Sequence, residues 1–282
     1  MRKIKNLFLI LIVCSTIFTL QGCLWYTGDF FEKLFDPNLI IIRGPKTISG
    51  ETYEIKPGAT VRFKCSKYGF GEDKEEGQLV FTNGGKLVAN GQEERIILEA
   101  GEGYYEGRVV FEASASTESI VQYCEFNHIP IDMEVSIPIR HVKFIGCCIG
   151  CRLGISSVIE YNTFDGDGFA SSAIQAEAGE NVSPVIRYNE IKNTIGKGMY
   201  FSENENPTIE WNNITNCEDE AIAWYNEDGG GVPPPTQELI VSNNYIANCN
   251  GKSGVDTIGE QCFNVTYQNL QSAPVDGAGC GW

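Results

Sequence analysis

Pro184-Val185-Ile186-Arg187-Tyr188-Asn189-Glu190-Ile191 is one copy of a spacing that recurs along the second half of the chain. Aligned on their last apolar residue, the copies end at Phe126, Phe144, Phe164, Ile191, Ile214, Ile246 and Leu270. Five places earlier stand Val121, Ile139, Ile159, Ile186, Ile209, Val241 and Val265, apolar in every copy. Three places earlier stand Tyr123, His141, Tyr161, Tyr188, Trp211, Asn243 and Tyr267. Between those two columns lies one that is always polar: Gln122, Arg140, Glu160, Arg187, Glu210, Ser242 and Thr266. This is the period-two alternation of a strand. It predicts inward side chains five and three places before the anchor and at the anchor itself, so that His141 fills core.

Two places before the anchor the residue is Asn162, Asn189, Asn212 or Asn244 in four copies, with Cys124, Val142 and Gln268 in the others. Asn tolerates the left-handed backbone that a sharp corner requires, and stacked amides bond one another from rung to rung. The reading is therefore of a corner at that place, in a ladder. The anchors are 18, 20, 27, 23, 32 and 24 residues apart, too irregular for leucine-rich or ankyrin arrays. Constant strands joined by loops of varying length fit a parallel β-helix, an all-β solenoid.

At this point the sequence resembles the right-handed parallel β-helix repeat proteins, a group that includes pectate-lyase-like enzymes and many non-enzymes. The resemblance spans residues 47–270 and implies a single-stranded solenoid with an N-terminal cap and an irregular tail at 271–282. It implies little about activity, because one scaffold hosts many functions. The earlier coils follow the same style. Tyr53-Glu54-Ile55 and Thr60-Val61-Arg62-Phe63 alternate on either side of Pro57-Gly58. Gln78–Phe81, Gly85–Gly91, Ile96–Leu98 and Gly107–Phe111 then read as further strands and turns. Middle strands are expected at Ala173–Ala176, Gly198–Phe201 and Ala221–Trp224. Ile174, Met199, Ile222, Ala176, Phe201 and Trp224 would face inward there, and Gln175, Tyr200 and Ala223 outward.

The chain opens with Met1-Arg2-Lys3-Ile4-Lys5 and an apolar run from Leu7 to Leu20, the pattern of a signal peptide over residues 1–22. Leu20-Gln21-Gly22-Cys23 resembles the lipobox of bacterial lipoproteins. The resemblance implies that Cys23 is the lipidated first residue of the mature chain, followed by a tether and cap over 23–46. Leu24 behind it implies sorting to an outer membrane. Removing residues 1–22 takes away Arg2, Lys3 and Lys5 and no acid, so the net charge moves from −16 to −19. So acidic a surface argues against nucleic acid as a partner.

Of the eleven cysteines, Cys147, Cys217 and Cys249 each stand three places after an anchor. On consecutive rungs Cys217 and Cys249 would lie about 4.8 Å apart, within the range of a disulfide. A column of buried thiols fits the same spacing, and the sequence leaves the two readings open. Cys147-Cys148-x-x-Cys151 makes a poor zinc set, since alternation turns neighbouring thiols to opposite faces. Cys262 and Cys280 are placed to clip the tail to the last rung.

The expected groove lies along the middle strands and the loops that follow them: Gln175, Glu177, Tyr200, Glu203, Glu205, Tyr225, Glu227 and Asp228. The aromatics would take sugar rings and the polar groups their hydroxyls. No cofactor is required, and Ca²⁺ is the one ion such carboxylates would hold. A second acid group, Asp165 and Asp167 with Glu218, Asp219 and Glu220, follows the anchors. Two functions fit: a lipid-anchored envelope protein that binds polysaccharide or another surface ligand without catalysis, and a polysaccharide lyase or glycosidase using paired carboxylates. Lys197, Arg152 and Arg187 are the cations a lyase would draw on, and none sits in an identifiable motif. The Gly- and Pro-rich insertion from Tyr225 to Pro235 is a functional candidate by position and equally a tolerated excursion.

Overall fold

The structure is a computed structural model. It describes residues 36–64, 76–101, 107–151, 156–176, 183–202, 207–225, 239–249, 255–257, 265–270 and 278–280. The signal segment, Cys23 and the tether as far as residue 35 lie outside the described residues, as do Arg152 and Cys262.

Among the described residues the fold is all-β, with one sheet of 17 strands and one of nine. The strands pair in parallel with the equivalent strand one coil away, the arrangement of a parallel β-helix. In the coil that carries the motif, Val185–Arg187 and Glu190–Lys192 belong to the first sheet and Lys197–Ser202 to the second. Ile186 lies between Ile159 and Ile209 in the stack, and Ile191 between Phe164 and Ile214. All of these residues are buried. The inward columns put like on like: Phe126, Phe144 and Phe164 stack with centroids 5.3 and 4.7 Å apart, and Phe81 covers Phe111 at 4.9 Å. Each buried ring removes apolar surface from water and adds an offset stack of about 1 kcal/mol.

The corner differs from the expected one by a single residue. The left-handed position belongs to the residue three places before the anchor, with φ between 53° and 58° at Tyr123, His141, Tyr161, Tyr188, Trp211 and Asn243. That residue interrupts the alternation, so the next side chain turns inward. Asn162, Asn189, Asn212 and Asn244 are fully buried, whereas Tyr161 and Tyr188 are half-buried on the outside and Trp211 is 37% exposed. The expectation of inward side chains in the Tyr123 to Trp211 column, His141 among them, is thus corrected. A strand's period of two does not survive a residue with positive φ.

The amide ladder satisfies every polar atom the corner leaves over. Asn189 Oδ1 accepts from the backbone N–H and the Nδ2 of Asn162, both at 3.0 Å, and Asn189 Nδ2 donates to Asn212 Oδ1 at 3.0 Å and to the Ile159 carbonyl at 2.8 Å. Asn212 and Asn244 repeat the pattern, Asn212 Nδ2 donating to Asn244 Oδ1 at 2.9 Å. Where the column turns to Val142, its backbone N–H donates to Asn162 Oδ1 at 2.9 Å and closes the ladder. A buried amide left without partners costs about 1–3 kcal/mol, which is why the column holds Asn and not a smaller polar residue.

Three further differences concern the ends. The stack starts before residue 47, since Leu39–Arg43 already pairs with Thr60–Lys64. In the last coil Val265 lies opposite Leu239 and Tyr267 opposite Val241, a two-residue displacement from the expected match of Val265 with Val241. Gln268 accordingly pairs with Ser242 and not with the corner Asn244, and the register slips by one residue beyond it, with Leu270 opposite Tyr245; a displacement of two is one that strand alternation cannot forbid. Cys280 is found in mid-stack rather than at the last rung. Its backbone N–H donates to Thr163 Oγ1 at 3.1 Å, and Gly279 N–H donates to the Tyr188 carbonyl at 2.9 Å. Gly279 has φ +89° and is buried, and a Cβ there would approach Thr163 Oγ1 to 2.9 Å, so the strap requires glycine.

Candidate functional site

The second sheet presents one outward residue per coil along a row set by its register: Asp132, Gly150, Gln175, Tyr200 and Ala223. The strands Ile131–Met133, Ile149–Cys151, Ser172–Ala176, Lys197–Ser202 and Ile222–Tyr225 carry them. Ile174, Ala176, Met199, Phe201 and Ile222 point the other way into the core, fully buried, as the alternation requires. Asp132 through Tyr200 are half-buried, and Ala223 is buried. Gly150 leaves a gap in the row, into which Asp132 Oδ1 leans, 2.8 Å from where a Cβ would stand. Asp132 Oδ2 is 3.5 Å from Arg108, and Gln175 Nε2 donates to Ser171 Oγ at 3.2 Å.

Of the eight groove candidates, the structure brings Gln175 and Tyr200 together as register neighbours on adjoining coils. Tyr225 is registered opposite Ser202, two residues along from the Tyr200–Ala223 pair. The Tyr225 and Trp224 side chains, and Glu177, Glu203, Glu205, Glu227 and Asp228 altogether, lie outside the described residues.

A second outward feature runs along the corner of the first sheet. Tyr123, His141, Tyr161, Tyr188 and Trp211 form one stack, with successive centroids 4.8, 5.3, 5.1 and 6.5 Å apart and rings within 15° of parallel. Each inner ring spends both faces on its neighbours and offers solvent only its edge. Such a stack is poor as a row of sugar platforms, which need an open face, and good as compensation for left-handed corners. It was hidden in the sequence because alternation assigned these residues to the core, although the run of aromatic letters is visible.

Beside the rings lies a row of charges. Glu160, only 7% exposed, bridges Arg140 and Arg187 through Nε contacts of 2.7 Å each. That bond holds the Arg187 guanidinium proton more tightly than usual. Glu210 follows and accepts from Ser242 Oγ at 2.8 Å. Arg187 is therefore committed to Glu160, and Lys197 stands 3.6 Å from both Asp219 and Glu220. His141, stacked between two tyrosines, has its pKa lowered, first by desolvation and also by Arg140, against the opposing pull of Glu160. Of the post-anchor acids, Asp165 caps an outer amide ladder: Asn193 Nδ2 donates to Asp165 Oδ1, Asn216 Nδ2 to Asn193 Oδ1 and Asn248 Nδ2 to Asn216 Oδ1, at 3.0, 3.3 and 3.2 Å.

The cysteines divide by depth. Cys147 and Cys151 are buried and Cys148 half-buried, the opposite facing expected of neighbours. Burial pushes the Cys124 thiol up to about 12 and the Cys147 thiol higher still. Cys217 and Cys249 are free thiols on adjoining coils, beside the Thr215 and Ala247 carbonyls respectively. Among the described residues no group of three His, Cys, Asp or Glu is gathered closely enough to hold a metal ion. Comparison with family models, with curated proteins and with solved structures finds no match.

Proposed function

We propose that the protein is a lipid-anchored β-helix of the cell envelope, held at the outer membrane through Cys23, that binds a polysaccharide along the outward row of its second sheet without cleaving it. The observation that carries the reading is the register of Gln175 with Tyr200. An amide and an aromatic ring stand half-exposed on adjoining coils, next to the Gly150 gap and the Asp132 carboxylate. A sugar ring has an apolar face for the tyrosine and hydroxyls for the amide and carboxylate, and a chain of sugars would run parallel to the stack. Ligand chains laid across a rigid scaffold match the general habit of binding sites. A mature charge of −19 repels uronates and favours neutral glycans.

The test is calorimetry of the soluble chain from residue 24 onward against neutral and uronate glycans, with and without Ca²⁺. A neutral glycan is expected to bind, and Tyr200→Ala to weaken it about tenfold, the loss of one aromatic contact of roughly 1.4 kcal/mol. Binding that ignores Tyr200→Ala and Gln175→Ala would remove the site. Release of unsaturated or reducing ends, abolished by Glu203→Gln, Glu205→Gln or Glu227→Gln, would instead establish the lyase or glycosidase.

A further inference from the structure

We propose that Cys217 and Cys249 form a thiol pair that closes to a disulfide between consecutive coils, with Cys249 the attacking thiolate and Cys217 the thiol that completes the bond. Thr215 is registered opposite Ala247, where both strands end; the next residues, Asn216 and Asn248, both turn with positive φ and are joined by an amide hydrogen bond of 3.2 Å, which leaves Cys217 and Cys249 at matching places just beyond. Parallel neighbours lie about 4.8 Å apart, inside the Cα separation a disulfide accepts. Each thiol lies near the carbonyl two residues before it, Cys217 by Thr215 and Cys249 by Ala247, so the two occupy equivalent places on adjoining coils.

The pair is asymmetric in a way that assigns the roles. Cys217 is 2% exposed, while Cys249 is half-buried and open to a reagent from solvent. The neighbouring Cys249 thiol, with burial second, holds the proton on Cys217, although Thr194 on the preceding coil pulls the other way. The Cys217 thiol in turn favours a Cys249 thiolate and brings its pKa down to about 7, against the opposing effect of burial. Nucleophilic cysteines are accessible and low in pKa, whereas buried ones such as Cys124 and Cys147 are inert.

The oxidant is a disulfide of the surroundings, either a small aqueous one or that of a thiol oxidoreductase, as an oxidising envelope supplies. The Cys249 thiolate attacks one of its sulfurs, the S–S bond breaks, and the other sulfur leaves as a thiolate. Cys217 then gives up its proton and attacks the Cys249 sulfur, expelling the second thiolate. The protein loses two protons and two electrons, and the oxidant gains them as two thiols. The bond would close one whole coil, the 32 residues from Cys217 to Cys249, which includes the insertion from Tyr225 to Pro235. It depends in no way on what the second sheet binds.

The experiment is oxidation of the soluble chain by oxidised glutathione, followed by alkylation in denaturant and non-reducing peptide mapping. The expected product is a single linked pair joining the Cys217 and Cys249 peptides, with Cys124 and Cys147 still alkylated. Cys249 joined to another cysteine, or both thiols still alkylated, overturns the proposal. In Cys217→Ser, Cys249 should stop at the mixed disulfide with glutathione, and the rate of that step should rise through pH 7. In Cys249→Ser, Cys217 should remain a thiol. Glutathione on Cys217 in that variant, or a Cys249 rate that stays flat until the ordinary thiol range above pH 8, reverses the assigned order.

Discussion

The coils near the N-terminus and the coils around Asn189 turn their corners by different means. In the first region the left-handed positions are mostly glycines: Gly44, Gly50, Gly58 and Gly84, with φ of 62–77°, joined by Asn83. In the second, Gly146, Gly168 and Asp167 remain, but the recurring positions are Tyr, His, Trp and Asn, residues for which that conformation costs roughly 1–2 kcal/mol apiece. Glycine makes a corner at no steric cost and leaves no side chain to stack. A tyrosine makes the same corner at a cost and recovers it from a ring above, a ring below and an amide ladder behind it. The comparison teaches that a strained backbone is tolerated where it is repeated, because repetition lets the strained residues support one another.

The sharpest way to break the second kind of corner is to remove one amide from the ladder. Asn189→Ala leaves two donors of Asn162, the Ile159 carbonyl and Asn212 Oδ1 short of partners. Urea denaturation should show a loss of about 3 kcal/mol, and a loss below half that would mean water replaces the amide. Gly58→Ala tests the first kind: with φ +74° and the Glu94 carboxylate in the way, it should cost about 1–2 kcal/mol. Tyr161→Gly turns one kind into the other, relieving the left-handed backbone while deleting two ring stacks. A net loss of about 1 kcal/mol is expected by the same assay; a gain would show the stack to be idle. The smallest effect is a matter of pH. His141 has a folded pKa below its unfolded value, so the unfolded chain binds the extra proton. Stability should be full above about pH 6.5, the unfolded pKa, and decline as pH falls toward the folded pKa. Thermal melts of His141→Tyr should lack that part of the acid-side decline.

The same contrast explains what was legible in the sequence. The stack was readable because the side-chain corners leave letters in register: Ile186 above Ile209, Asn189 above Asn212, Phe144 above Phe164. Glycine corners leave no such column, and the first paired strand, Leu39–Arg43, accordingly falls in the stretch the sequence assigns to tether and cap. The ring column was placed on the wrong face because nothing in a string of residues marks which one takes positive φ. Asn, with its known tolerance, was the natural choice, and the residue just before it was the actual one. Gln175 and Tyr200 were legible because their strands run without a corner, so alternation held from one coil to the next. Val265 was not, since two-residue shifts are invisible to a period of two.

The strap at Gly279 and Cys280 changes how such a solenoid can come apart. A pile of coils in which each touches only its neighbours frays from its ends, every released coil becoming a free tail. Here Gly279 and Cys280 are tied back to Tyr188 and Thr163, across 117 residues of sequence in the case of Cys280 and Thr163. A terminal coil that unravels while the tie holds becomes a closed loop, which gains less entropy than a loose end. Two short backbone contacts therefore act as a latch against unzipping from that side.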